Sequence, residues 1–63
     1  MKTASANQDR FVAPEVIADY FDITEEAVRR RCREGLIPGA IKAGRLWRIP
    51  TGTADSIMQN GLP

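Results

Sequence analysis

A chain of 63 residues with nine basic and eight acidic side chains is nearly neutral, and its single cysteine and lack of histidine exclude a zinc finger and an internal disulfide. There is room for one small domain, burying only about 60% of the surface its unfolded chain exposes, so every apolar position matters to stability. The charge is segregated: residues 27–50 hold seven basic residues against one acid, a local balance of +6, while the first 26 residues hold two against six, −4, and single-sign density of that kind favours a polyanionic partner such as nucleic acid.

Residues 1–9 are polar and without periodicity, which predicts a disordered lead-in. Met1 to Asn7 has one lysine and no apolar run, so neither a signal peptide nor a membrane span is expected, and the protein is expected in the cytosol. A folded domain is expected over residues 10–60, with 61–63 as a tail. Pro14 suits the first position of a helix, and Val16, Ile17, Tyr20 and Phe21 fall on one face of a helix over 14–21. The turn Asp22-Ile23-Thr24 interrupts it. Thr24 is a good N-cap for a second helix, Glu25 and Glu26 sit favourably at its positive dipole end, and Gly35 stops it. Two short helices joined by three residues, with small Ala18 where they approach, read as a helix-turn-helix.

Pro38-Gly39 breaks the chain, and Ala40 to Ala43 and Leu46 to Ile49 read as a hairpin around Gly44. Trp47 and Ile49 share one strand face, and Leu46 and Arg48 the other, so Trp47 is expected to plug the core while Arg48 faces outward. Tyr20 and Phe21 are expected in the core as well, and Cys32 as a reduced core thiol. Pro50 ends the strand. Residues Thr51 to Asn60 suggest a last short helix with Ala54, Ile57 and Met58 inward and Gly61 as its stop.

Helical spacing puts Val28 and Cys32 on the buried side of the second helix and Glu26, Arg30 and Arg33 on the opposite ridge, with Arg29 on the flank. That ridge carries the groups that read a DNA major groove: arginine bonds guanine O6 and N7 in bidentate fashion, and glutamate accepts from cytosine N4. The plainer reading is a solvated face with a Glu26–Arg30 ion pair. Lys42, Arg45 and Arg48 flank the Gly44 turn, within reach of phosphates or a narrow minor groove; the plainer reading of Lys42 and Arg48 is hairpin solubility. Arg31 falls nearer the core, where its stem is expected to lie across Tyr20 or Trp47.

The segment FVAPEVIADYFDITEEAVRRRCREGLIPGAIKAGRLWRIP, residues 11–50, resembles the excisionase-type DNA-binding domains, small winged helices related to the MerR regulators. Ala18, Ile23-Thr24, Val28, Arg33-Glu34-Gly35, Gly44-Arg45 and Trp47-Arg48-Ile49-Pro50 carry the likeness. It departs at Asp22, where the family usually has glycine, and at Arg31, usually apolar. The resemblance implies a mainly α fold with a small β-hairpin, a winged helix-turn-helix. It implies Glu26, Arg30 and Arg33 in the major groove, Arg29 on the backbone and Gly44-Arg45 at the minor groove; Thr24, Glu25, Lys42 and Arg48 complete the expected backbone contacts.

A single winged helix of this kind resembles a phage excisionase, a recombination directionality factor. Such a protein binds cooperatively near attachment sites in the bacterial host, bends DNA and directs a tyrosine or serine integrase toward excision. Self-association on DNA is expected through Ile57, Met58 and Leu62, the alternative being that this segment caps its own core. Two other functions fit the residues: a small transcriptional regulator using the same domain at a promoter, and a protein-interaction adaptor whose basic face meets an acidic partner. No catalytic residue, cofactor, metal or membrane contact is expected, since there is no metal set, phosphate loop or nucleophile beside a base.

Overall fold

Pro14 opens the first helix, α1 (Pro14–Phe21), from an extended Ala13, and Pro14, Ile17 and Ala18 are its buried positions. The helix ends because Asp22 turns into the left-handed region, φ 58°, and its N–H returns to the carbonyls of Ala18 and Asp19. Ile23 N–H also bonds Ala18 O at 3.0 Å, which reverses the chain within three residues. Thr24 starts α2 (Glu25–Arg33), its hydroxyl accepting from Ala27 N at 3.2 Å. That cap satisfies one of the donors left without a partner in the first turn. Gly35, at φ 74°, closes the other end with its N–H on Cys32 O at 3.1 Å.

The computed structural model describes residues 10–63; the expectation of disorder for residues 1–9 falls outside that span. Beyond the two helices lie β1 (Phe11–Val12), β2 (Ile41–Ala43), β3 (Leu46–Pro50) and α3 (Thr51–Asn60). The expected helices and hairpin are present, and β1 extends the hairpin, so the domain has three helices and a three-stranded antiparallel sheet in the order β1-β3-β2. β1 pairs Phe11 with Pro50 and Val12 with Ile49. Two residues are too few to show the alternation by which a strand is read from sequence, so β1 exists only through its pairing. The hairpin aligns Lys42 with Trp47 and Ala43 with Leu46, leaving Gly44-Arg45 as a two-residue loop with Gly44 at φ 65°. Such loops require positive φ at this first position, which glycine adopts without steric cost.

The core is Ile17, Ala18, Val28, Cys32, Ile37, Ile49, Ala54 and Ile57, with α1, α2, β3 and α3 each contributing. Ile17, Val28 and Ile49 are its fully buried side chains. Thr53 Oγ1 donates to Pro38 O at 2.9 Å, tying α3 to the segment that follows α2.

Three expectations about packing change. Tyr20 is 60% exposed and meets Phe21 edge-on, ring centroids 5.0 Å apart, so only Phe21 packs against the core. On an eight-residue helix the buried stripe is narrow, and Ile17 and Ala18 occupy it, leaving Val16 and Tyr20 on the solvent side. Trp47 is half-buried at the rim, because Ile49, on the same strand face, takes the central position. Residues 61–63 fold back on the domain, Leu62 packing against the core after Gly61 ends α3 with its N–H on Ile57 O at 2.7 Å.

Candidate nucleic-acid interface

Burial of Val28 and Cys32 fixes the rotation of α2 and leaves Glu26, Arg30 and Arg33 exposed together on its outer side, with Arg29 half-buried on the flank. The Glu26–Arg30 pair does not form. Glu26 Oε1 accepts from Arg29 Nε at 3.1 Å and its Oε2 from Arg33 Nη2 at 2.7 Å. Arg29 also places Nη1 3.2 Å from Glu25 Oε2. Arg30, with Glu26 already occupied, turns to Glu34, Nε to Oε2 3.3 Å. The hydrogen bonds from Arg33 and then Arg29 hold the Glu26 carboxyl below the ordinary carboxylate range.

Sequence reasoning did not assign Glu34 a part in this surface. Its signal was present, since an arginine and a glutamate four apart on one helix lie within reach of each other. The consequence is chemical: each of the three arginines exposed or half-exposed at the ridge already has a carboxylate partner on its own helix or cap. Cys32, beside Arg33, is 5% exposed, and burial pushes its thiol up more than the neighbouring charge lowers it. It is a neutral packing group.

The hairpin differs. Lys42, Arg45 and Arg48 make no ion pair among the described residues. Gly44 and Arg45 are exposed at the tip. Lys42, directly across from Trp47, carries its Nζ over the indole ring at 6.0 Å from the centroid, within the range of a cation–π contact. Arg48 lies on the opposite strand face and is half-buried. Arg29, Arg45 and Arg48 line one cleft of about 150 Å³, together with Glu15, Glu25 and Trp47, so the flank of α2 and the hairpin meet there. Thr24 stands exposed at the start of α2; its hydroxyl oxygen is engaged as an acceptor in the cap, and its O–H can still donate.

Two of the other assignments are corrected. Arg31 makes its hydrogen bonds away from Tyr20 and Trp47: Nη1 donates to Ala27 O at 2.9 Å and Nε to Pro63 O at 3.4 Å. A long-range contact between residues 31 and 63 has no local sequence signal. Ile57, expected at a protomer interface, is 5% exposed within the domain's own core, and Met58 and Leu62 pack against that core.

No helix among the described residues is long and apolar enough to cross a membrane. Comparison of the chain with protein-family models, curated proteins and solved structures finds no match to any of them.

Proposed function

We propose that the chain is a winged helix-turn-helix that binds double-stranded DNA in the bacterial cytoplasm and acts as a phage excisionase, without catalysis of its own. The observation that carries this reading is the convergence of two cationic elements: the exposed ridge of α2 and the tip of the β2–β3 hairpin, which makes no ion pair among the described residues, joined at the cleft where Arg29, Arg45 and Arg48 outnumber Glu15 and Glu25. A helix is the element that fits a major groove, and a hairpin beside it reaches the adjoining minor groove.

In this reading α2 is the reader. Arg30 and Arg33 bond guanine edges, and Glu26 faces them from the same ridge. Arg29, Lys42 and Arg48 hold phosphates, with Thr24 and Glu25 at the helix entrance, and Arg45 beyond Gly44 enters the minor groove. Bending 20–30 base pairs by 40–90° costs about 1–6 kcal/mol, and a single small module buries only about 600–1,000 Å² on DNA, so neighbouring copies share that cost. Bound in this way, the copies favour the excisive arrangement of an integrase. Ile57 takes no part in contacts between them, since the domain's own core covers it.

The test is a gel-shift titration on attachment-site DNA, with a promoter fragment and random DNA as competitors. Ladder-like complexes that survive random competitor support excision. Binding to the promoter alone reassigns the module to transcriptional control, and no binding at low salt refutes DNA recognition.

A further inference from the structure

Resting on that DNA-binding reading, we infer that Glu26 is a specificity-determining positioning residue, a carboxylate clamp that withholds Arg29 and Arg33 from DNA lacking the right bases. Both of its oxygens are in use, one for each arginine, at 3.1 and 2.7 Å. The two arginines follow it by three and seven residues, so a single carboxylate spans two turns of the exposed ridge. The side chains concerned are 36 to 57% accessible, and ion pairs this exposed exchange readily with other acceptors.

What replaces the carboxylate decides the outcome. A phosphate offers an arginine a charged oxygen acceptor much like the carboxylate oxygen that Glu26 already supplies. Moving Arg33 from Glu26 to a phosphate of random DNA therefore gains little and leaves a carboxylate facing a polyanion. A major-groove edge can do more, because guanine accepts from the released arginine while cytosine N4 donates to the released glutamate. Only such a site satisfies all three side chains. The cations of the hairpin, Lys42, Arg45 and Arg48, have no carboxylate partner among the described residues and supply attraction to any sequence. Attraction and discrimination are thereby divided between the two elements.

The experiment compares wild type, Glu26→Gln and Asp55→Asn on two probes: a random-sequence 30-bp duplex and the duplex that wild type enriches most from a randomised pool. Affinity is measured across a salt series. Glu26→Gln is expected to bind the random duplex about fivefold more tightly, with a log–log salt slope steeper by about 0.9 for each arginine released to phosphate. It gains nothing on the enriched duplex, so discrimination falls. Asp55→Asn removes the same charge from an exposed position on α3, outside the ridge and the hairpin, and its change on the random duplex is less than about twofold. A Glu26→Gln loss confined to the enriched duplex, with random binding and slope unchanged, would overturn the clamp and leave Glu26 as a direct base reader. Equal gains from both variants would overturn it too, by reducing the effect to net charge. Failure of wild type to bind or enrich any duplex at low salt refutes the DNA-binding reading itself.

Discussion

Asp22 is the one non-glycine residue among those described with a left-handed backbone, and it stands at the turn on which the angle between α1 and α2 depends. An L-residue in that region is strained by about 1–2 kcal/mol, while glycine there costs more chain entropy. Asp22→Gly is therefore expected to stabilise the domain by about 0.5–1 kcal/mol in urea denaturation. The place of this turn was readable from Thr24 and the acids after it, since capping is a local matter. The partners of Glu26 were not readable, because helical spacing put Arg29, Arg30 and Arg33 all within reach of it. Its pH behaviour follows from the partners it has. A carboxylate whose folded pKa lies below its unfolded value of about 4.3 contributes stability that is present above that pH and lost as pH falls through the folded value. An acid titration followed by circular dichroism should thus show a shallower loss of stability for Glu26→Gln than for wild type, a difference that shrinks in high salt because the pair is exposed.

At the scale of elements, the proposed DNA-binding function gives α2 and the hairpin different tasks, and substitutions should separate them. Arg30→Ala or Arg33→Ala is expected to cost about 1–3 kcal/mol on a preferred duplex and to relax base preference. Arg45→Ala is expected to weaken all sequences alike and to reduce the salt slope by about one. Both outcomes are read from fluorescence anisotropy on preferred and random duplexes, and uniform loss from all three would contradict a reader helix. The bounds of α1, α2 and α3 were legible because Pro14, Gly35 and Gly61 act through their own backbone and Thr24 through a hydroxyl cap three residues along the chain. β1 was not, because its two residues acquire strand character only by pairing with Ile49 and Pro50. The cation–π position of Lys42 depends likewise on register, which sets Lys42 across from Trp47.

For the whole molecule, the decisive question is what the last residues do. Deleting residues 56–63 removes Ile57 from the core together with Met58 and Leu62 packed against it. Truncating one buried isoleucine to alanine costs about 2–5 kcal/mol, against a total stability of about 5 kcal/mol at the low end for a small domain. The deletion is expected to unfold the protein, seen as loss of its cooperative thermal transition. Folding with unchanged stability would show that the segment is free for other contacts. By itself the sequence determined the helix caps, the hairpin loop, the inward placement of Val28, Cys32 and Ile49, and the segregation of charge onto α2 and the hairpin. Each of these follows from near-neighbour geometry or from composition. Only the tertiary structure decided that Tyr20 faces solvent, that Trp47 stops at the rim, that Arg31 reaches Pro63, that Ile57 is core, and that Glu26 holds two arginines. Those outcomes are competitions among residues with equal local claims to one place, and packing settles them because a core this small has one central position where several side chains could fit.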